Sequence, residues 1–277
     1  MTERFLEGRT AWVTGGATGI GRAIAMALAK AGADVAIGSL LEGSALPERT
    51  YAARPSRKAL EDVAAEIRGE GVRCLADGFD VRVDASVDAF HRKATSELAS
   101  IDILVNAAGV SAQEEMTGHS DETWYTVLDI NLTGVYRTIR RCMGPMIERR
   151  WGRIVNIAST AANVGAPRYS AYCASKSALL GLTRCVALEG AEHGVTCNAV
   201  NPGSVGTEMM RLGSLRRIAQ GGEGATVEEN FARIAASMPQ KRLVEPAEIA
   251  ELVVFLCRDE ALGLTGEDLT VSGGALW

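Results

Sequence analysis

The chain alternates short, nearly continuous apolar runs with longer segments of helical pattern from one end to the other. Apolar runs of this kind are typical of parallel strands that are covered on both faces. Seven runs are strand candidates: residues 10–13, 34–37, 72–75, 103–105, 153–157, 195–200 and 269–271. Strand–helix alternation over the whole length predicts βαβ units. We therefore expect an α/β fold with one doubly wound parallel sheet of about seven strands and helices on both faces.

The helical segments have identifiable ends. One helix closes at Gly32, a second begins after Ser120 and runs towards Arg150, and a third begins at Pro246, a favoured first position. Because no linker or shift of composition divides the chain, we expect residues 1–277 to form a single domain.

Two long connections interrupt the alternation, at residues 39–57 and 204–243. Connections of this length in a compact domain are usually functional lids, or are partly disordered. We expect the second one to contribute a lid over the substrate.

Composition excludes several classes of protein. The 29 basic and 34 acidic side chains give a net charge of −5, without the concentrated basic face that a nucleic-acid binder needs. No apolar stretch reaches 18 residues, and residues 1–9 lack the apolar core of a signal peptide. Six scattered cysteines and three distant histidines offer no disulfide framework or metal site. We expect a cytoplasmic protein without a membrane segment, bound metal or nucleic-acid partner.

A glycine-rich turn, TGGATGIG at residues 14–21, follows the first strand and opens a helix. Such a turn directs backbone N–H groups and the positive end of the helix towards a phosphate. Glycines are needed because a Cβ would block the close approach of a pyrophosphate. The spacing, Gly15-x3-Gly19-x-Gly21, differs from the general dinucleotide fingerprint, so the turn alone is a moderate signal.

A second pattern joins Ser159, Tyr172 and Lys176. Tyr172 and Lys176 are four residues apart and therefore share one helix face. A lysine ammonium near a phenol stabilises the phenolate and lowers its pKa, which suits the phenol to acid–base catalysis. The serine hydroxyl could hold a carbonyl oxygen as charge develops on it.

Further motifs occur in a fixed order along the chain. They are TGGATGIG (14–21), Asp80-Val81, NAAG (106–109), Asn131 in INLTG, Ser159 in NIAST, YCASK (172–176), NPGSVGT (201–207) and LTGEDLTVSGG (264–274). In this order the chain resembles the compact, single-domain branch of the short-chain dehydrogenase/reductase family. The resemblance covers roughly residues 8–274 and implies a Rossmann-type fold.

The resemblance also implies roles for individual residues. Asn131, Ser159, Tyr172 and Lys176 would be catalytic: Tyr172 would pass the proton, and Asn131 would position a water in a proton relay. A nicotinamide dinucleotide would be bound by Gly15, Thr18, Gly19, Ile20, Gly21, Ser39, Asp80, Val81, Asn106, Ala107, Gly109, Tyr172, Lys176, Pro202, Gly203, Val205 and Thr207. The activity implied is hydride transfer between this cofactor and a secondary alcohol or ketone.

The choice of cofactor is left open by the residues at the end of the second strand. An NAD site places an acid there for the ribose 2′-hydroxyl, whereas this chain has Ser39. Arg54, Arg57 or Lys58 could pair with the 2′-phosphate of NADP. Glu42 could instead accept from the 2′-hydroxyl. We expect NADP(H) in preference to NAD(H).

We also state expectations for the substrate pocket, the assembly and an alternative function. The substrate pocket is expected to be built from Ser111, Gln113, Ala161, Asn163, Tyr169 and Met209. The family resemblance implies a homotetramer that forms through two long helices and the C-terminal strand, with Trp277 buried in a neighbouring subunit. The alternative function is a non-catalytic dinucleotide-sensing or scaffold protein on the same fold.

Overall fold

The computed structural model describes residues 4–222 and 226–275. Its strands are β1 (Thr10–Thr14), β2 (Asp34–Ser39), β3 (Thr50–Tyr51), β4 (Cys74–Gly78), β5 (Ile103–Asn106), β6 (Ser111–Ala112), β7 (Gly152–Ile157), β8 (Val195–Pro202) and β9 (Asp268–Val271). Seven of them form one sheet in the order β4-β2-β1-β5-β7-β8-β9, and every neighbouring pair is parallel. The predicted fold class is confirmed.

Nine α-helices occur in the described part of the chain. They are α1 (Gly19–Lys30), α2 (Arg57–Gly69), α3 (Asp84–Leu98), α4 (Asp121–Leu128), α5 (Gly134–Arg149), α6 (Ser170–Gly190), α7 (Glu208–Ala219), α8 (Val227–Ser237) and α9 (Pro246–Leu256). None of them is both long and apolar enough to cross a membrane.

Each face of the sheet is covered by its own layer of helices. Trp12 in β1 packs with Phe90 of α3, in a cluster that also includes α5 and α6. Its neighbour Val13 belongs to the opposite cluster, with Ile24 of α1 and Val253 of α9. This alternation follows from the two-residue period of a strand. Complete burial of one such side chain contributes about 1.5–3 kcal/mol, which favours apolar residues at most positions of a strand that is buried on both faces.

The third strand of the sequence pattern is displaced towards its C-terminal end. Its predicted span was 72–75, whereas β4 begins at Cys74 and continues to Gly78. Pairing with β2 explains the extension, because Ala76 and Asp77 lie opposite Ile37 and Gly38 in the parallel register. Small and polar residues at the end of the strand conceal this continuation from a hydrophobic pattern.

The long helix expected between Ser120 and Arg150 is interrupted. A π-helical turn at Asp129–Thr133 separates α4 from α5. Within this turn, Asn131 Oδ1 accepts from the Val110 N–H at 2.9 Å, and Nδ2 donates to the Val110 carbonyl at 2.9 Å. The widened turn accommodates this inserted side chain, as π-turns frequently do at functional sites.

Both long connections contain secondary structure. Within residues 39–57, β3 pairs antiparallel with β6, so that Thr50 lies opposite Ala112 and Tyr51 opposite Ser111. The 204–243 segment contains α7 and α8. An Arg216 guanidinium N–H donates to the Arg49 carbonyl and joins the two connections.

Candidate active site

A cleft of about 390 Å³ opens at the carboxyl ends of the parallel strands. In open α/β sheets, ligands bind at this edge, where the strand order reverses. The sequence-predicted residues on its wall are Gly15, Thr18, Gly19, Ile20, Gly21, Ser39, Asp80, Val81, Ala107, Gly109, Ser111, Ser159, Tyr169, Tyr172, Lys176, Pro202, Gly203, Val205, Thr207 and Met209. The loops after β1, β2, β4, β5, β7 and β8 therefore contribute to one cleft.

The glycine turn at one end of the cleft fits a phosphate group. Gly15 has φ +67°, and a Cβ there would lie 3.0 Å from the Ala108 backbone. Gly19 has φ +50°. Thr18 precedes α1 without capping it through its side chain, and the first turn of the helix contains no acidic residue. The positive end of α1 is thus left available to an anion.

Ser159, Tyr172 and Lys176 meet at another part of the same cleft. The Ser159 hydroxyl follows β7, accepts from the Ala161 N–H at 3.1 Å and hydrogen-bonds to Tyr172. Lys176 lies one turn after Tyr172 on α6, and its ammonium donates to the Ile157 carbonyl at 2.8 Å. The structure therefore brings together the three residues that their spacing had associated.

The pKa shifts of Tyr172 and Lys176 differ from those expected from the sequence. Burial raises the pKa of Tyr172 above its ordinary value, while the Ser159 hydrogen bond lowers it. Burial also lowers the pKa of Lys176 to about 8. The ammonium was expected to depress the pKa of Tyr172, yet desolvation has the larger effect because both groups are enclosed by protein.

Asn131 is fully buried beside these residues and does not line the cleft. A Cβ built on Gly109 would lie 3.5 Å from Asn131 Oδ1 and 3.8 Å from Lys176 Nζ, so both side chains approach the same backbone position. Asn131 Nδ2 also donates to Ser175 Oγ at 3.1 Å. Its amide is committed to protein partners, which indicates a positioning role.

Asn106 lies behind the wall of the cleft as well. It is 2% exposed, donates to Asn156 Oδ1 at 2.8 Å and accepts from the Thr138 hydroxyl at 2.6 Å. The Asn106 side chain therefore stabilises the centre of the sheet, and its contact with the cofactor stays a prediction. Both of its polar atoms cross-link β5 to β7 and α5 because a buried amide must be satisfied internally.

The three cations that were considered as partners of a 2′-phosphate have different surroundings. Arg54 lines the cleft, as Ser39 and Leu40 do, and its guanidinium donates to the Ser44 carbonyl. Arg57 pairs with Asp77 at 3.3 Å, and Lys58 pairs along α2 with Asp62 at 2.6 Å. Of the three cations considered from sequence, Arg54 is the one placed on the wall.

Two acids of this region, Glu42 and Asp80, also differ in their position relative to the cleft. Glu42 is exposed and does not line the cleft. Asp80 lines it and pairs with Arg82 at 2.7 Å. Burial alone would raise the pKa of Asp80, but hydrogen bonds from Arg82 outweigh it and lower the pKa, so the carboxylate stays charged.

The substrate-pocket prediction needs correction at three positions. Ser111, Tyr169 and Met209 line the cleft, whereas Gln113, Ala161 and Asn163 do not. Asn163 is exposed beyond the short 3₁₀ turn Thr160–Ala162 that follows Ser159, and this turn carries it away from the cleft. Gln113 is 6% exposed and lies behind the wall, where it contacts two tyrosines.

Comparison with known proteins assigns the family. A family model described as enoyl-(acyl carrier protein) reductase matches residues 15–275. The 2,3-dihydro-2,3-dihydroxybenzoate dehydrogenase of Bacillus subtilis (strain 168) is 35% identical over 99% of this chain and 98% of its own length. The chain belongs to the short-chain dehydrogenase/reductase family.

Solved structures agree with this assignment. A variant of actinorhodin polyketide ketoreductase with NADPH is 34% identical, covers 99% of both chains and has a TM-score of 0.87. An NAD⁺-bound xylitol dehydrogenase is 29% identical, covers 97% of this chain and 99% of its own, and has a TM-score of 0.85. This short-chain dehydrogenase/reductase is thus an NAD(P)(H)-dependent oxidoreductase of the alcohol–ketone type, and the resemblance drawn from its motifs is confirmed.

Sequence reasoning missed part of the short-chain dehydrogenase/reductase cleft. The long 39–57 connection supplies Leu46, Tyr51, Ala52 and Ala53 to its wall in addition to Arg54. The available signal was Tyr51, the single aromatic residue between positions 39 and 57. The position of Tyr51 in the fold depends on the pairing of β3 with β6. Strands of only two residues leave no recognisable pattern in a sequence, so this pairing could not be predicted.

Proposed function

We propose that Tyr172 is the general acid and base with which this enzyme interconverts a secondary alcohol and a ketone. One observation carries the proposal: Ser159, Tyr172 and Lys176 line the same cleft as the glycine turn at the start of α1. A substrate and a dinucleotide in this cleft would share a single enclosed space. The non-catalytic alternative is not retained, because these three side chains are brought together.

The wall residues fit a nicotinamide dinucleotide, which gives or takes a hydride when bound. Gly15 and Gly19 leave room for its pyrophosphate, and the start of α1 supplies N–H groups to it. Asp80 and Val81 would border its adenine, while Pro202, Gly203, Val205 and Thr207 would face its nicotinamide end. These assignments are supported by the position of each residue on the wall.

Tyr172 and Ser159 act on the oxygen of the substrate. In ketone reduction, the phenol donates its proton to the carbonyl oxygen while the Ser159 hydroxyl donates a hydrogen bond to the same atom. The raised pKa of Tyr172 keeps the phenol protonated for this step. In alcohol oxidation, the phenolate accepts the proton, and the Ser159 hydrogen bond stabilises it.

Lys176 and Asn131 support the proton transfer by Tyr172. The Lys176 ammonium would hold the nicotinamide ribose hydroxyls, and its contact with the Ile157 carbonyl fixes its direction. Asn131 holds the Val110 backbone and widens the helix between α4 and α5 next to Lys176. Asn131 is therefore proposed as a positioning residue of a proton path from Lys176.

NADP(H) is proposed as the preferred cofactor. The end of β2 has Ser39 in place of an acid, and the Ser39 hydroxyl accepts from the Ala17 N–H at 3.3 Å. Arg54 also lines the cleft and could turn from the Ser44 carbonyl towards a 2′-phosphate. Glu42, the acid that would favour NAD(H), lies off the wall.

The assembly and location of the enzyme are also proposals. A homotetramer through α5 and α6 is supported by apolar side chains on their surfaces, Tyr136 at 47% and Leu188 at 79% exposed. Trp277, expected to be buried against a neighbour, lies outside the described residues. Light scattering tests the tetramer, for which we expect a mass about four times the 29.3 kDa of the chain.

A cytoplasmic location is supported by the six free thiols. A single domain is supported by the one seven-stranded sheet against which the long helices pack.

Two measurements on the purified enzyme test the proposed function. Fluorescence titrations with NADPH and NADH measure cofactor affinity, and absorbance of the reduced nicotinamide follows turnover of a panel of monoketones, oxo-esters and the matching alcohols. We expect tighter binding of NADPH and turnover within the panel. Failure to bind either nucleotide would contradict the proposal.

A further inference from the structure

Tyr51 reaches the cleft from the long 39–57 connection. The pairing of β3 with β6 places Tyr51 opposite Ser111, and both residues line the cleft. The connection is held in place by the buried carboxylate of Glu114, which pairs with Arg49 at 3.6 Å. Tyr51 itself is 8% exposed. Its position is therefore built into the fold.

The Tyr51 hydroxyl belongs to a hydrogen-bonded cluster with Gln113, Tyr169 and Ser111. Gln113 Nε2 donates to the Tyr51 hydroxyl oxygen at 3.3 Å and also to the Tyr169 hydroxyl oxygen. The Ser111 hydroxyl hydrogen-bonds to Tyr51 and lowers its pKa, as a donor does, but burial has the larger effect and raises the pKa of Tyr51. The Tyr51 phenol thus stays protonated at working pH.

Helix α7 lies next to the same hydroxyl. A Cβ built on Gly213 would lie 3.2 Å from the Tyr51 hydroxyl oxygen, and the Arg216 guanidinium lies 5.5 Å from the centre of the Tyr51 ring. The hydroxyl is therefore confined between α7 and the cluster, and it has little freedom to turn towards bulk solvent.

The hydrogen bonds recorded within the cluster leave one phenol hydrogen unused. Gln113 Nε2 commits its two hydrogens to the two phenol oxygens, and each phenol keeps a hydrogen of its own. The contact between Tyr51 and Tyr169 uses one of these hydrogens. Among the described residues, no acceptor is recorded for the other. Since both phenols line the cleft, the remaining hydrogen is available to a ligand there.

Building on the proposed function, we infer that Tyr51 is a specificity residue: the phenol pair of Tyr51 and Tyr169, held by Gln113, donates one hydrogen bond to a second oxygen of the substrate. The rings of Tyr169 and Tyr172 lie edge to face, with centroids 6.4 Å apart. A carbonyl bound at Tyr172 would therefore lie close to the cluster. The substrate class is therefore a ketone or alcohol with a second oxygen acceptor within a few bonds of the reacting carbon.

A matched pair of ketones tests this inference. Ethyl 3-oxobutanoate and heptan-2-one have chains of equal length, and only the ester has a second oxygen acceptor. We would measure kcat/KM for both ketones in the wild type, in Tyr51→Phe and in Tyr125→Phe, a matched control whose tyrosine is 66% exposed on α4. The greater intrinsic reactivity of the ester is the same for every protein and cancels when the ester-to-ketone ratios are compared.

Tyr51→Phe is expected to lower the ester-to-ketone ratio about tenfold, the effect of one neutral hydrogen bond, mainly through KM. Tyr125→Phe should leave the ratio unchanged. Gln113→Glu offers a second variant of equal size: its carboxylate accepts from the phenols, withdraws their hydrogens from the substrate and should lower the ratio as well.

Equal losses for both ketones in Tyr51→Phe would show that Tyr51 only packs, and would overturn the inference. Reduction of heptan-2-one, or of any other monoketone of the panel, without reduction of ethyl 3-oxobutanoate would also overturn it while the proposed function stands. An enzyme that bound neither nucleotide would overturn both.

Discussion

Lys176 Nζ lies 5.7 Å from the centre of the Tyr172 ring, one helical turn away on α6. Burial disfavours the charged form of each residue: it raises the pKa of Tyr172 and lowers that of Lys176 to about 8. Burial therefore keeps the Tyr172 phenol protonated and brings the pKa of Lys176 closer to neutral pH. Among residues 4–222 and 226–275, no carboxylate pairs with this enclosed ammonium, and its hydrogen bond goes to the Ile157 carbonyl.

Burial of Lys176 should make the stability of the free enzyme depend on pH. Its pKa falls from 10.5 to about 8 on folding, so the unfolded chain binds more protons between these values. The free energy of unfolding should accordingly rise with pH across this window, by up to about 3 kcal/mol from this group.

Lys176→Met removes the titrating group at similar length and should remove this rise. Chemical denaturation of the wild type and the variant at several pH values from 7 to about 10 measures the difference, in which the contributions of all other groups cancel. Parallel stability curves for the two proteins would contradict the predicted effect of burial.

Arg54 should contribute to the preference for NADP(H). Arg54→Gln is expected to weaken NADPH binding about tenfold or more, because a charge-assisted hydrogen bond to the 2′-phosphate is lost. NADH binding should be unchanged, since that cofactor lacks the phosphate. Fluorescence titration with each nucleotide measures both affinities.

Lys58→Gln provides the control for this substitution. Lys58 belongs to the same segment of the chain, but it pairs with Asp62 on the surface of α2. Its replacement should leave both affinities unchanged. Equal weakening of NADPH and NADH by Arg54→Gln would show that Arg54 supports the loop rather than the phosphate.

Asn131 should matter for stability as well as for activity. Asn131→Ala leaves the buried Val110 N–H and carbonyl without their partners, each at a cost of about 1–3 kcal/mol. Thermal or chemical unfolding should therefore show a loss of at least about 2 kcal/mol. Asn163→Ala, at an exposed position, should change stability by less than about 0.5 kcal/mol. A comparable small effect at Asn131 would contradict its positioning role.

The sequence predicted those parts of the fold that depend on local pattern. Apolar strands such as β1 and β8 are recognisable because they are buried on both faces, and the Ser159, Tyr172 and Lys176 spacing locates their meeting point. The glycine turn is likewise local, since Gly15 and Gly19 need a left-handed backbone or space for a ligand.

The remaining features depend on contacts between distant segments. The π-turn arises because Asn131 binds the backbone of Val110, and the position of Tyr51 arises because a two-residue strand pairs with β6. The pKa of Tyr172 is set by burial, which no spacing expresses. Asn163 was misplaced because a single short turn after β7 determines its direction.

The most direct test of the account is Tyr172→Phe with Ser159 and Lys176 intact. Removal of the phenol hydroxyl takes away the proton donor, so turnover should fall by about 10²–10⁴-fold. The Kd for NADPH should stay within about twofold, because the hydroxyl is needed for the chemical step rather than for the pyrophosphate site. A variant that retains full turnover of any substrate of the wild-type enzyme would contradict the central claim.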